Sequence, residues 1–521
     1  MSDSSVPPRA EEIRRGVAAY RDVRRELERA VAPIATSVDG RRFVFQASLH
    51  DLPFQPGGYV VLGDGRSLGQ TMTLEMTTHE GPDLALSLGE GVAGTNRVVL
   101  RAATGEGVIL EGDGSSFHDL EIRPALPEEV EAWLERTRPD RASLGIGELL
   151  LAPGVAYDLD AGGFDRHTFL CGQSGSGKTY SLGLVLERLL LETALRIVVL
   201  DPNSDYVRLG RLREGRDSEL GARYADAAAG VVVRTAAGEG EQRLRLALPE
   251  LDPAAQAAAL RLDPIADREE YAVLSAALEE WNPASLADLA ADDSEGARRL
   301  VARARNLRVD RWGVWARGEA GSVLEDAVDP SVRCLVVDLG SLATPEEEAL
   351  VANAVLARLW ERRADREPVL VVVDEAHNVC PQEPDSDLAR LATEHAVRIA
   401  AEGRKFGLYL LVSTQRPQKV HENVLTQCDN LFLMRMNSLA DLGLVEEVFS
   451  FVPPSLVRRA TTFRQGESLV AGKLSPHPAL VRFGARLSEE GGGDVPAVWA
   501  ERRADQPAVR LRAAPRGHPL A

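Results

Sequence analysis

Residues 172–179 read GQSGSGKT and stand between an apolar run, Thr168–Cys171, and an amphipathic helical pattern. The spacing fits a phosphate-binding loop, GxxxxGK followed by Ser or Thr, and this loop requires a strand before it and a helix after it. Its glycines allow successive backbone N–H groups and the helix N-terminus to face phosphates. We therefore predict that ATP binds to Gly172, Gln173, Ser174, Gly175, Ser176, Gly177, Lys178, Thr179 and the adjoining Tyr180.

The loop lies in a region where strands alternate with helices, from about residue 150 onward. The strand candidates are apolar and rich in β-branched residues: Thr168–Cys171, Ile197–Leu200, Leu335–Val337, Val369–Val373, Leu408–Ser413 and Leu431–Met434. This alternation predicts an α/β domain over residues 150–485, with a mostly parallel sheet covered on both faces. Residues 207–330 interrupt it with a largely helical insertion in which only Val231–Thr235 looks extended.

The regions on either side of this domain have different patterns. Residues 1–31 predict an amphipathic N-terminal helix. Residues 32–130 predict a small β-barrel, because short apolar runs recur between Gly, Asp and Pro. These runs are Phe43–Ala47, Tyr59–Leu62, Met72–Met76, Leu84–Leu88, Val98–Ala102 and Val108–Glu111. Residues 486–521 contain EEGGGD and then an Ala/Pro/Arg-rich stretch, which predicts a loosely ordered C-terminal tail.

The composition is that of a soluble globular protein, with 44% hydrophobic and 27% charged residues in a chain of 521. Its apolar stretches are too short for a membrane helix and its start does not resemble a signal peptide, so we expect a cytoplasmic protein without membrane contact. The four cysteines lack metal-ligand spacing, which makes a zinc site or a disulfide framework improbable. A net charge of −19 argues against a basic outer surface for nucleic acid, but it permits a basic channel inside an assembly.

A pair of acids completes the predicted site. Asp374 and Glu375 directly follow the apolar run Val369–Val373. With Thr179, Asp374 is expected to bind Mg²⁺, while Lys178 reaches the β- and γ-phosphates. Glu375 is suited to polarise an attacking water, which favours hydrolysis over phosphotransfer. Alternatively, Glu375 is an acid that stabilises the N-terminus of the following helix.

Two protein classes with similar motifs are disfavoured. Residues 374–377 spell DEAH, which also marks a class of RNA helicases, but the QRxGRxGR segment that those helicases need does not follow. An LSGGQ-like signature of ABC ATPases does not occur between the two nucleotide motifs either.

Further catalytic candidates lie near the last strands. Gln415 follows Leu408–Ser413 and could hydrogen-bond the water or the γ-phosphate, or it could be an ordinary loop amide. Arg404 and Lys405 end the preceding helical pattern. They could stabilise phosphoryl charge beside the catalytic edge of the sheet, or they could simply interact with the negative end of the helix dipole.

Seven motifs in order carry a family resemblance: GQSGSGKT (172–179), DPNSDY (201–206), VVVDEAHN (371–378), AAEGRKFGL (400–408), STQRP (413–417), VLTQCDN (424–430) and LFLMR (431–435). Together they resemble the HerA branch of the HerA–FtsK ATPases, over roughly residues 40–485. The resemblance implies a RecA-like P-loop ATPase core preceded by a HAS-barrel.

The resemblance also implies a homohexamer that threads double-stranded DNA, uses ATP and Mg²⁺, and works with a partner nuclease. A competing hypothesis is an ATP-regulated hexameric scaffold that activates a nuclease or an NAD-consuming effector in antiphage defence, with little translocation of its own. Both DNA repair and defence therefore stay open as biological contexts.

The family pattern assigns roles to two further arginines. Arg166 matches an arginine that reaches into the neighbouring subunit's site, with a salt-bridged turn residue as the alternative. Arg435 matches another family arginine of less defined role.

The chain departs from the family pattern at residues 203–205, which read Asn-Ser-Asp where relatives typically have His-Gly-Glu. Residues 379–387 are acidic and do not look like a DNA contact. DNA-binding candidates, which could also form an ordinary solvated helix face, are Arg298, Arg299, Arg303, Arg305 and Arg308.

Overall fold

The computed structural model of the protein describes residues 8–63, 65, 67–87, 93–216, 218–280, 294–316 and 321–492. The helices are α1 (Pro8–Arg29), α2 (Pro127–Thr137), α3 (Lys178–Glu192), α4 (Glu219–Ala228), α5 (Pro253–Ala259), α6 (Arg268–Glu280), α7 (Glu295–Leu307), α8 (Val323–Val328), α9 (Pro345–Glu361), α10 (Ala376–Val379), α11 (Asp387–Glu402), α12 (Glu422–Leu425), α13 (Leu439–Val448) and α14 (Pro454–Val457). Among the described residues, no helix combines the length and the apolar character that crossing a bilayer requires.

The described part of the chain contains seventeen strands, which form one barrel and one large sheet. They are β1 (Ile34–Ser37), β2 (Arg42–Ala47), β3 (Tyr59–Leu62), β4 (Ser67–Ser87), β5 (Ala93–Glu111), β6 (Phe117–Pro124), β7 (Ser143–Leu149), β8 (Ala156–Asp160), β9 (His167–Cys171), β10 (Arg196–Asp201), β11 (Val231–Thr235), β12 (Cys334–Asp338), β13 (Val369–Val373), β14 (Leu408–Thr414), β15 (Cys428–Met434), β16 (Glu467–Ala471) and β17 (Ala479–Phe483).

The N-terminal barrel is closed, with the strand order β1-β2-β5-β4-β3-β6, and its neighbouring strands are antiparallel. The barrel confirms the predicted fold, but the short runs expected between residues 72 and 111 belong to two long strands, β4 and β5. Leu88, at the end of one of these runs, lies outside the described residues. A Cβ at Gly107 in β5 would overlap the ring of Phe43, and a Cβ at Gly105 would lie 2.5 Å from the ring of Phe45. These glycines therefore make room for buried rings instead of marking turns.

The large sheet has eleven strands in the order β11-β12-β10-β13-β14-β9-β15-β16-β17-β7-β8. The strands from β11 to β15 in this order are parallel, whereas the remaining four are joined by antiparallel pairings. The predicted mostly parallel sheet is thus confirmed, and its central strands are buried throughout, as their continuous apolar runs indicate. All four cysteines are buried and free.

The parallel strands define two edges of the sheet. We call the edge where β9, β10, β12, β13, β14 and β15 end the carboxyl edge, and the edge where they begin the amino edge. The helical insertion contains α4–α8 and contributes β11 to one side of the sheet, where it pairs with β12. In parallel α/β sheets, ligands bind outside the carboxyl ends of the strands, so this topology makes the carboxyl edge the expected location of a site.

The barrel packs directly on the sheet through a buried polar contact. The Tyr59 hydroxyl in β3 lies 2.6 Å from His477 Nε2, and Gln70 Nε2 in β4 donates to the Pro478 carbonyl oxygen at 2.9 Å. Trp133 of α2 packs edge-on against the His477 ring, with the ring centroids 4.9 Å apart. Burial lowers the pKa of His477 to about 3, so this histidine remains neutral at the junction.

The C-terminal segment that follows β17 is packed against α3. Glu187 and Arg486 are both fully buried, with Glu187 Oε1 3.4 Å from Arg486 Nε. The backbone N–H groups of Leu487 and Ser488 donate to the Glu187 carboxylate at 2.9 and 2.7 Å. The expectation of a loose tail from residue 486 is therefore wrong for residues 486–491, because this buried pair fixes their path. Residues 493–521 of the predicted tail lie outside the described residues.

Candidate active site

The phosphate-binding loop connects β9 to α3 at the carboxyl edge. Gly175 and Gly177 have φ angles of 72° and 93°, in the left-handed region that glycine adopts without strain. A Cβ at Gly177 would also lie 3.1 Å from the backbone nitrogen of Gly466. The loop is fixed to the end of β15 because Gln173 N–H donates to the Arg435 carbonyl oxygen at 2.9 Å.

Lys178 joins the two halves of the site. Its Nζ lies 2.8 Å from Asp374 Oδ1 and 3.0 Å from Glu375 Oε1, and it donates to Ser413 Oγ at 3.1 Å. Burial alone would lower the pKa of Lys178, but the two carboxylates outweigh this effect and its pKa is raised. Lys178 is therefore charged and binds the acid pair. Ser413 lies near the end of β14, and the sequence motifs did not identify it as a partner of Lys178.

Glu375 is held at an unusual backbone conformation. Its φ of 41° is in the left-handed region, which costs a non-glycine residue about 1–3 kcal/mol and is concentrated at functional sites. Gln415 Nε2 donates to Glu375 Oε1 at 2.8 Å, so the structure brings these two predicted residues together. On the other side, His377 Nδ1 lies 3.4 Å from Glu375 Oε2 and 3.1 Å from Thr414 Oγ1. His377 was not among the predicted site residues, although its position two residues after Glu375 was a signal.

Thr179 and Asp374 suit a magnesium ion. Asp374 Oδ2 is buried and has no hydrogen-bond partner among the described residues. Mg²⁺ is usually held by one or two carboxylates together with phosphate oxygens, hydroxyls and water. The free carboxylate oxygen of Asp374 and the Thr179 hydroxyl at the start of α3 provide this donor set.

The loop after β10 contributes a further carboxylate. Thr179 Oγ1 donates to Asp205 Oδ2 at 3.3 Å, while Asp201 accepts the N–H groups of Asp205 and Tyr206 at 3.0 and 2.8 Å. Burial, together with the charge of Asp374, raises the pKa of Asp201 to about 7. The same two causes raise the pKa of Asp205. Asp205 thus lies beside the Thr179 hydroxyl, which suits a magnesium ion, despite the departure of residues 203–205 from the family pattern.

Arg166 and Arg404 are not in this site. Arg166 precedes β9 and Arg404 precedes β14, so both lie at the amino edge, where they contact Asp429 at 3.5 and 2.7 Å. At about 3.3 Å per residue, β9 places Arg166 roughly 20 Å from the phosphate-binding loop. The expectation that Arg404 lies beside the catalytic edge of its own subunit is therefore wrong. The turn that carries it leads into β14, whereas Gln415 follows the opposite end of that strand.

The remaining arginine candidates have separate environments. Arg435 Nη2 donates to the Gly175 carbonyl oxygen at 3.0 Å, which places this arginine on the phosphate-binding loop. On α7, Arg299 pairs with Glu269 at 3.2 Å, and Arg303 pairs with Asp267 at 2.6 Å. These two side chains serve contacts with α6 or the turn before it. The other members of the set are exposed: Arg298, Arg305 and Arg308.

The chain is similar to several known proteins. Residues 144–307 match the family described as the central domain of helicase HerA. The chain is 25% identical over 394 residues to the DNA double-strand break repair helicase HerA of Pyrococcus furiosus, a match covering 65% of this chain and 69% of that relative. It is 28% identical over 194 residues to the protein of the same name from Sulfurisphaera tokodaii, but this match covers only 36% and 38% of the two chains.

Two solved structures are also similar. VirB4 of Thermoanaerobacter pseudethanolicus gives a TM-score of 0.42 at 15% identity, covering 67% of this chain and 98% of that one. The conjugative coupling protein TrwBΔN70 gives a TM-score of 0.44 at 13% identity, covering 70% and 92%. From the family match and the two HerA relatives, the resemblance to HerA-like ATPases is confirmed, and with it the prediction of an ATPase.

Proposed function

We propose that this HerA-like ATPase is a ring-shaped motor that couples ATP hydrolysis to movement or remodelling of double-stranded DNA. The observation that carries the proposal is the convergence of Lys178, Asp374, Glu375 and Gln415 on one phosphate-binding loop. A lysine and a magnesium-binding acid fit the nucleotide, and a carboxylate with an amide partner fits an attacking water. This set supports hydrolysis, which a motor needs, and not transfer of phosphate to another substrate.

In the proposed ring, a neighbouring subunit supplies the arginine that one subunit lacks at its own nucleotide site. Because Arg166 and Arg404 lie at the amino edge, they could act only on nucleotide in another copy of the chain. In a head-to-tail ring, one surface of each subunit meets a different surface of its neighbour, so the amino edge of one copy can face the carboxyl edge of the next. An arginine provided in this way stabilises transition-state charge and links hydrolysis to subunit contact. We propose a homohexamer of this kind.

Mixing two inactive variants tests the arrangement. Lys178→Ala removes the loop lysine, and Arg166→Ala removes the arginine expected to act in the neighbouring site. If the arginine acts between subunits, an equal mixture assembled at random has about a quarter of its interfaces intact, and ATPase activity returns in that proportion. If Arg166 acts within its own subunit, every subunit of the mixture is defective and activity does not return. Analytical ultracentrifugation with ATP and Mg²⁺ checks that mixed rings form.

Double-stranded DNA is the proposed substrate. The Pyrococcus and Sulfurisphaera relatives are named as DNA double-strand break repair helicases. With a net charge of −19, this chain would have to bind DNA through a local group of arginines and not through its surface as a whole. A nuclease or an NAD-consuming effector is the proposed partner, in repair or in defence.

The decisive experiment follows DNA movement by the isolated protein. Tracking of single duplexes should show ATP-dependent movement, and duplex DNA should stimulate ATP hydrolysis. Raising the salt concentration from 50 to 200 mM should weaken DNA binding by at least about tenfold, because the contacts are to phosphates. ATP hydrolysis without movement, appearing only when the effector is added, would instead favour the scaffold hypothesis.

A further inference from the structure

We propose that Gly491 and Gly492 form a strap that holds Asp205 against the Thr179 hydroxyl, so that the C-terminal segment helps to position the magnesium-binding side chain. The inference rests on the proposed ATPase function and adds a positioning residue, Asp205, with the backbone that fixes it. None of these residues is expected to touch the reacting atoms.

The strap contacts Asp205 directly. Gly491 N–H donates to the Asp205 carbonyl oxygen at 3.0 Å. A Cβ at Gly491 would overlap the Ser204 carbonyl oxygen and lie 2.9 Å from the Asp205 carbonyl carbon. A Cβ at Gly492 would lie 2.5 Å from Asp205 Oδ1, at a φ of +54°. Only glycine allows the backbone to come this close on both counts.

The strap is anchored on the helix that carries the site. Arg486 is fully buried against Glu187 of α3, and a Cβ at Gly183 of the same helix would overlap its guanidinium group. The Arg486 N–H also donates to the Tyr180 hydroxyl at 2.7 Å, one residue after Thr179. The C-terminal segment therefore touches α3 at its first turn and in its middle before it reaches Asp205.

Other contacts hold Asp205 from the side of the sheet. Asp201 accepts its N–H at 3.0 Å, and Ser204 Oγ donates to Asp338 Oδ1 at 2.6 Å. The strap contacts the same turn at the Asp205 carbonyl group. The Asp205 carboxylate is thereby directed towards Thr179.

This geometry has a chemical consequence for Thr179. A hydroxyl that binds a cation through its oxygen must direct its proton elsewhere, and Asp205 Oδ2 accepts that proton at 3.3 Å. Groups that orient a metal ligand in this way typically contribute tenfold to hundredfold in metal affinity. Displacing the strap should therefore reduce the gain in nucleotide affinity that Mg²⁺ provides. It should have a much smaller effect on the nucleotide affinity measured without Mg²⁺.

The test compares binding of a fluorescent ATP analogue in Mg²⁺ and in EDTA, using full-length Gly491→Ala. We expect the gain in affinity that Mg²⁺ gives the wild type to fall by about tenfold or more, while affinity in EDTA stays unchanged. Gly443→Ala is the matched control, because a Cβ there would meet nothing within 4 Å, and it should behave as wild type. An unchanged magnesium effect in Gly491→Ala overturns the inference.

Asp205 variants decide the question if Gly491→Ala fails to fold, as judged by thermal unfolding. Asp205→Ala should lose the magnesium effect, whereas Asp205→Asn retains an acceptor oxygen and should keep most of it. Equal losses in both variants contradict a positioning role through the Thr179 proton. If the wild type does not bind the analogue at all, it is the proposed ATPase function that fails.

Discussion

Replacing Glu375 with Gln should slow ATP hydrolysis by about 10²–10⁴-fold, the usual contribution of a positioned general base, while ATP still binds. The glutamine keeps the size of the side chain but cannot take a proton from water. Its carbonyl oxygen can still accept the Gln415 amide, which lies 2.8 Å from the carboxylate in the wild type. Single-turnover hydrolysis and equilibrium binding of a fluorescent ATP analogue measure the two effects separately.

Glu383→Gln is the matched control, because Glu383 is exposed in the acidic segment that follows α10. It should hydrolyse ATP at the wild-type rate. A Glu375→Gln protein with a hydrolysis rate within about threefold of wild type would show that another group activates the water, because a general base contributes far more.

Replacing Lys178 with Ala should abolish hydrolysis and also destabilise the nucleotide-free protein, by about 3–5 kcal/mol in the free energy of unfolding. The lysine is almost fully buried with Asp374 and Glu375, and removing it leaves two buried carboxylates without a cation. Because these carboxylates raise the pKa of Lys178, its stabilising contribution is complete at neutral pH and is lost only as the pH rises through that raised pKa. Urea unfolding at pH 7 measures the loss.

Two further variants test the cause of this loss. The double variant Lys178→Ala/Glu375→Gln should recover part of the lost free energy of unfolding, because it removes one of the two buried carboxylates that have no cation beside them. Lys405→Ala removes an exposed lysine and should change the free energy of unfolding by less than about 0.5 kcal/mol. Equal stability of Lys178→Ala and wild type would contradict the buried ion cluster.

The core of the site was predictable because its motifs are local. A glycine loop between a strand and a helix, and an acid pair at a strand end, each define their own backbone context. The strand order that brings them together was not readable from the sequence. Because β14 lies between β13 and β9, Gln415 after β14 meets Glu375 after β13.

The errors have physical causes that local patterns do not reveal. Arg404 was assigned to the wrong edge because the prediction considered only that it lies near β14. It precedes the start of this strand, whereas the catalytic edge lies at the strand's end. The long strand β5 was divided at Gly105 and Gly107, which in fact accommodate the rings of Phe45 and Phe43. The segment from residue 486 onward looked loose because of its EEGGGD and Ala/Pro/Arg-rich composition, whereas the path of its described first residues depends on a buried partner, Glu187, some 300 residues earlier.

The N-terminal barrel restricts how another protein can recognise this region. Within the closed ring, each described strand from β1 to β6 has a hydrogen-bonded neighbour on each side, and only the parts of β4 and β5 that extend beyond the ring as a hairpin are paired on one side alone. β-Augmentation, in which a visiting peptide extends a sheet, requires a free edge. A protein that binds the barrel wall must therefore recognise the side chains that face outwards. Single substitutions of these side chains can alter such recognition and leave the hydrogen-bonded ring intact.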